Sequence, residues 1–197
     1  MVRSGTAYSR IFELFADILD YPQESLAEQV RECEALVSVS SPEAADLLRQ
    51  FRNVVEEKSN GQLEEIYTGI FDLDSDCHPY VGYQLFGESY ERSVFLLELK
   101  ERYRAGGFEA SENELPDRLS ELLRFLSVSG EGEPGQEIID EGLAPALDKM
   151  AREAEKEEAE EERIPPASDP YRQVLQALRS VLEQLRSVTA PAEAASS

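Results

Sequence analysis

The 197-residue chain is predicted to be an all-α, single-domain helical bundle, and three observations predict it. Apolar residues recur at i, i+3, i+4 and i+7 in one segment after another. No stretch alternates apolar and polar residues with period two, and clusters of Pro, Gly, Ser and Asp divide the segments. Apolar residues make up 41% of the chain, enough for a core at this length and too many for a disordered polypeptide.

The first helical stripe is Tyr8, Ile11, Phe12, Phe15, Ile18 and Leu19. Asp20-Tyr21-Pro22 ends it, because the residue before a proline is pushed out of helical geometry. A second helix is expected from Glu24 to Val37, with Leu26, Val30, Cys33 and Val37 inward. Ser40, Ser41 and Pro42 supply capping hydroxyls and a first-turn proline for a third. Its core face is Leu47, Leu48, Phe51, Val54 and Val55, and Asn60-Gly61 is expected to stop it. A fourth helix, roughly Gln62 to Phe71, carries Leu63, Ile66, Tyr67, Ile70 and Phe71.

The stretch from Asp72 to Pro79 reads as an acidic, turn-rich loop. One long helix is expected from about Tyr80 to Arg104, with Gly82 and Gly87 in its first part and Gly106-Gly107 ending it. Ser111 and Glu114 have capping-box spacing, which opens a helix holding Leu115, Leu119, Leu122, Leu123 and Leu126. Gly130, Gly132, Pro134 and Gly135 read as a loop. The apolar pattern resumes from Ile138 to Met150 and decays into the glutamate run 153–162, a solvated helix or a mobile acidic segment. Pro165-Pro166 breaks that run, and Asp169-Pro170 has the look of an N-cap and first-turn proline. Tyr171, Val174, Leu175, Leu178, Val181, Leu182 and Leu185 form the last stripe. The domain is therefore drawn over 1–188, with 189–197 a small, polar tail expected to fray.

Composition narrows the function classes. The 41 acidic residues against 19 basic ones give a formal charge of −22. Such a surface repels phosphate backbones and anionic headgroups, so neither nucleic acid nor membrane is an expected partner. It attracts basic segments of other proteins, and it also serves solubility. Cys33 and Cys77 form no CxxC, which fits a reducing compartment. No apolar h-region follows Met1-Val2-Arg3, and no apolar run approaches the roughly 18 residues of a spanning helix. A cytoplasmic location is expected.

Catalytic constellations are wanting. His78 is the one histidine in the chain, so no His-rich metal site can be assembled, and Cys77-His78 lacks a second ligand pair. Phosphate-binding glycine loops are absent. No catalytic residue, metal site or resident cofactor is expected. Aromatics instead concentrate around the acidic loop: Tyr67, Phe71, Tyr80, Tyr83, Phe86, Tyr90 and Phe95. Tyr67, Phe71 and Phe95 read as core. Tyr80, Tyr83 and Phe86 lie beside Pro79, Gly82 and Gly87, where aromatic side chains next to permissive backbone suit a peptide-binding groove.

These residues also carry a resemblance. Ile66 to Leu73, His78-Pro79-Tyr80-Val81-Gly82-Tyr83-Gln84-Leu85-Phe86-Gly87-Glu88-Ser89-Tyr90-Glu91-Arg92, Leu96 to Glu109, and Glu114 to Leu126 resemble the NarJ branch of the TorD/DmsD-type molybdoenzyme chaperones. That branch is also called the nitrate reductase delta subunit family. The resemblance implies a TorD-like helical bundle without catalysis. It implies a partner, the apo catalytic subunit of a nitrate reductase or related molybdoenzyme, held through its N-terminal leader or vestigial leader while molybdenum cofactor is inserted. A monomer or a domain-swapped dimer is implied as well. The alternative is a stable accessory subunit of the respiratory complex.

By position, Pro79, Tyr80, Gly82, Tyr83 and Phe86, with Asp117, Arg118 and Leu119, are the expected peptide-binding residues. Tyr67, Phe71, Tyr90 and Arg92 are their expected support. Asp117 corresponds to the acid of an Asp-His pair near the leader site; it could accept a hydrogen bond from a leader arginine, or simply favour a helix N-terminus. Arg118 stands where many relatives have histidine, and Ser93 where the NarJ branch often has glycine.

Overall fold

The computed structural model describes residues 4–73, 77–129, 133–150 and 170–189. Among these residues the chain is helical, and its one β-like feature is an isolated antiparallel bridge between Tyr80 and Arg118. The helices are α1 Ser4–Ile18, α2 Leu26–Val37, α3 Pro42–Glu57, α4 Asn60–Phe71, α5 Val81–Phe86, α6 Tyr90–Ala105, α7 Leu119–Ser129, α8 Glu133–Glu137 and α9 Pro170–Thr189. A π-helical segment, Ile138–Leu143, continues α8, and residues 144–150 follow as α-helix.

α3 packs between α2 and α9, while α1 packs between α2 and α7. The predicted stripes are what these contacts bury: Ile11, Phe12, Phe15 and Ile18 of α1; Leu26, Val30, Cys33 and Val37 of α2; and all seven positions from Tyr171 to Leu185 in α9. Each such Leu, Val or Phe contributes about 1.5–3 kcal/mol on leaving water. Tyr171 is fully buried and joins α9 to its neighbours through ring contacts with Phe51 at 5.0 Å, Phe71 at 5.3 Å and Tyr67 at 5.5 Å. A second aromatic group, Tyr103, Phe108 and Phe125, ties the end of α6 to α7. In α3 the small Ala44 and Ala45 take buried positions, whereas Leu47 and Val54 stay half-buried.

Four boundaries differ from the sequence expectation. Asn60-Gly61 opens α4 instead of ending α3, because Ser59 and Gln62 form a reciprocal capping box just before it. The long helix expected over 80–104 is two helices, α5 and α6. Gly87 adopts φ +64, which terminates α5, and the Ser89 hydroxyl accepts from Arg92 N–H to cap α6. Ser111 and Glu114 do not open a helix: α7 begins only at Leu119, Leu115 is exposed, and residues 111–118 form a loop drawn against 79–81. Pro134 and Gly135 lie within α8, not in a loop. The acidic run 153–162, the Pro165-Pro166 break, the Asp169 cap and residues 190–197 of the expected tail lie outside the described residues.

Candidate functional site

Two short extended segments meet at the predicted site. Val81 N–H donates to the Asp117 carbonyl at 2.8 Å, and Leu119 N–H donates to the Pro79 carbonyl at 2.7 Å. This exchange sets Tyr80 opposite Arg118 and starts α5 and α7 side by side. Proline at 79 fits the ladder because its carbonyl, not a missing N–H, does the bonding. Leu119 and Pro79 are both buried at the junction.

The bridge carries Asp117 into the interior, where its carboxylate is completely buried. Arg92 of α6 reaches it with two hydrogen bonds, Nε to Oδ2 at 3.0 Å and Nη2 to Oδ1 at 3.4 Å. The same guanidinium carbon lies 5.6 Å from the ring centroids of both Tyr80 and Tyr83. One carboxylate and two phenol rings therefore enclose one guanidinium. Gly82 closes the fourth side. A Cβ there would lie 2.8 Å from Asp117 Oδ2, 2.9 Å from Phe95 Cδ1 and 3.3 Å from Arg92 Cγ, so only glycine leaves room.

Arg118 points to the other side of the bridge. Its Nη1 donates to Glu114 Oε1 at 2.5 Å, and its Nη2 donates to Asp20 Oδ1 at 2.9 Å and to the Tyr67 hydroxyl at 3.2 Å. Asp20 also accepts from Arg124 at 3.0 Å, so the end of α1 is tied to the start of α7 through a shared carboxylate. Burial alone would lower the pKa of Arg118, but Glu114 and Asp20 outweigh it and hold the guanidinium firmly charged. Burial raises the Tyr67 phenol, and burial together with Glu114 raises that of Tyr80, whose hydroxyl donates to Glu114 at 3.5 Å.

Apolar side chains are also exposed on α5 and on the outer face of α6. Phe86, at the end of α5, stacks on Phe95 of α6 at 5.7 Å and remains 41% exposed. On α6, Tyr90, Val94 and Leu97 follow i, i+4, i+7 spacing and are all exposed, at 78%, 37% and 63%. Glu91, Glu98 and Glu101 are exposed on the same helix. Lys149 Nζ donates to the carbonyls of Gln84 and Leu85 at 2.8 and 3.2 Å, which satisfies the C-terminal end of the short α5.

The predicted residues thus separate into groups. Pro79, Tyr80, Gly82, Tyr83, Asp117, Arg118 and Leu119 are brought together around the bridge, Phe86 packs on Phe95, and Tyr90 lies on the outer face of α6. Tyr67 and Phe71 are core residues, and Tyr67 touches the site through Arg118. Arg92, expected only as support, is the direct partner of Asp117. Sequence reasoning passed over Val94 and Leu97, although their spacing from Tyr90 was a readable signal. It also passed over Glu114, whose i, i+4 spacing to Arg118 was readable, and Asp20, which no sequence signal joins to Arg118.

His78 belongs to the scaffold: its Nδ1 lies 3.0 Å from the Phe71 carbonyl and its ring packs edge-on to Tyr83 at 5.3 Å. Cys77 beside it is buried. Among the described residues no group of three or more His, Cys, Asp or Glu could hold a metal ion, and no helix is long and apolar enough to cross a membrane. A cleft of about 910 Å³ between the ends of α6 and α7 and the π-helical segment shares no residue with the site.

Comparison with known proteins bears on the family and the fold. The model of the nitrate reductase delta subunit family matches residues 39–188. The chain is 29% identical, over 142 residues, to a Bacillus subtilis (strain 168) protein described as a probable nitrate reductase molybdenum cofactor assembly chaperone, NarJ; the match covers 72% of this chain and 77% of that protein. It superimposes with a TM-score of 0.57 and 25% identity on the crystal structure of a candidate redox enzyme maturation protein from Archaeoglobus fulgidus, over 89% of this chain and 93% of that one.

Proposed function

The chain belongs to the nitrate reductase delta subunit family, and on that premise we propose that it is a non-catalytic assembly chaperone whose client is an apo molybdoenzyme catalytic subunit. The observation that carries the proposal is the exposed, acid-flanked apolar face Tyr90, Val94 and Leu97 of α6, which points away from the Asp117 box on the opposite side of that helix. Monomeric proteins seldom leave such a strip in water without a use for it. The similarity to the NarJ chaperone supports a nitrate reductase, or a related reductase, as the client.

The client segment is proposed to be its N-terminal leader or the vestige of one, bound in the cytoplasm before export or membrane attachment. A basic, partly apolar segment suits the strip on both counts. Its apolar side chains bury against Tyr90, Val94 and Leu97 at about 25 cal/mol per Å². Its positive charges are drawn by a chain of net charge −22, which raises the association rate at low salt. Ordering a segment that is unstructured alone costs several kcal/mol, so the net affinity is modest and release is possible. Residues 1–188 act as one unit in this reading, with 79–86 and 117–119 at the contact.

Calorimetric titration with N-terminal peptides of molybdoenzyme catalytic subunits tests the proposal. Val94→Ser and Leu97→Ser should each weaken binding roughly tenfold, as expected for losing an interface anchor. Because both side chains are exposed, stability should stay within about 0.5 kcal/mol of the parent. If no such peptide binds the folded protein, the client assignment is wrong. If peptides bind and the two variants bind equally well, the contact lies elsewhere.

A further inference from the structure

We infer that the box formed by Asp117, Tyr80 and Tyr83 is an exchangeable guanidinium seat, filled in the free protein by the chain's own Arg92 and taken over by an arginine of the bound partner. The inference rests on the proposed client reading and adds to it how the site is regulated.

Four features of the box lead to it. First, its chemistry is that of an arginine receptor: two hydrogen bonds to one carboxylate at 3.0 and 3.4 Å, with rings at 5.6 Å to either side. Second, the seat has a way out. The Arg92 side chain is 16% exposed while Asp117 is wholly buried, and Tyr80 and Tyr83 are half-buried. The guanidinium is therefore the lid on the carboxylate. Third, there is room for one occupant: even a methyl group on Gly82 would press on Asp117, Phe95 and Arg92 together. A second guanidinium can enter only if Arg92 leaves.

The fourth feature is energetic. Removing Arg92 outright would strand a buried carboxylate, which is strongly destabilising. Replacing one guanidinium by another leaves Asp117 paired at the end of the exchange. Arg92 therefore protects the seat until a partner arrives and does not block it permanently. Its occupancy reduces the apparent affinity for any arginine by the fraction of molecules in which the seat is open. The tethered Arg92 outcompetes free arginine, so an incoming arginine must be carried by a segment that also binds elsewhere on the surface.

The test uses the full chain, the variants Arg92→Ala and Arg92→Lys, and an arginine-containing N-terminal peptide of a molybdoenzyme catalytic subunit alongside its citrulline analogue. Wild type should prefer the arginine peptide slightly. Vacating the seat should enlarge that preference to about tenfold or more, with the citrulline peptide unchanged. Ethylguanidinium, and not ethylammonium, should raise the melting temperature of Arg92→Ala and leave wild type unmoved. Lysine at 92 keeps the charge but lacks the bidentate fork, so Arg92→Lys keeps the experiment decisive if the alanine variant does not fold. Wild-type peptide binding with no growth in the arginine preference in either variant overturns the exchange while leaving the client reading intact. Absence of peptide binding by every protein overturns both.

Discussion

Gly82 is the residue with the least freedom in the site, because three side chains from two other segments crowd the position a Cβ would take. Gly82→Ala should cost about 1–3 kcal/mol, the usual penalty for overpacking a filled interior. Denaturant unfolding measures it, and an unchanged midpoint would mean that the Asp117 carboxylate slides aside. Its neighbour Arg118 faces away from the box. It bridges Glu114, Asp20 and the Tyr67 hydroxyl, so it fixes the 111–118 loop against α1 and α4. Asp117 and Arg118 are adjacent in sequence, yet the bridge turns one inward to Arg92 and the other toward the end of α1.

Among the elements, the break between α5 and α6 matters most. A continuous helix through 87 would carry Tyr80, Tyr83 and Phe86 along the axis of α6. The left-handed Gly87 folds α5 back so that Tyr80 and Tyr83 flank Arg92 and Phe86 reaches Phe95. No atom crowds Gly87, so Gly87→Ala tests the backbone alone. It should cost about 1–2 kcal/mol, the strain of placing an L side chain at this φ. Thermal unfolding reads the change, and no loss would mean that the turn relaxes to another conformation. The π-helical segment Ile138–Leu143 supports the same region from behind, with Gly142 within 3.6 Å, measured from the place a Cβ would occupy, of Phe95.

For the molecule as a whole, burial of weak acids makes stability sensitive to alkali. Burial raises the phenols of Tyr67 and Tyr103, and burial with Glu114 raises Tyr80, all from an ordinary value of 10.0; burial also raises the Cys33 thiol from 9.0. The unfolded chain gives up these protons first, so above those values it binds fewer protons than the native state and stability falls as pH rises. The urea midpoint should begin to fall near pH 9, where the unfolded Cys33 thiol ionises, and fall more steeply above about pH 10 as the phenols join it. A midpoint that holds through that range would show that the phenols ionise as freely in the fold as out of it. The charge of −22 acts in the same direction, since self-repulsion grows with each proton lost.

Read from the sequence alone were the helical class, most of the helices and their buried faces. These depend on local periodicity and on short-range propensity, which the order of residues carries directly. It left α5 and α6 joined, because Gly82 and Gly87 look alike in sequence: one is required by a close approach and the other by its backbone angle. It misplaced the start of α7, because the Pro79–Leu119 and Val81–Asp117 hydrogen bonds that hold 111–118 out of a helix are long-range. Only the tertiary structure decided that Asp117 is already paired, that its partner is Arg92 from α6, and that Tyr90, Val94 and Leu97 stay in water. Which face of an apolar helix is left uncovered depends on what the rest of the chain packs against it, and no local pattern records that.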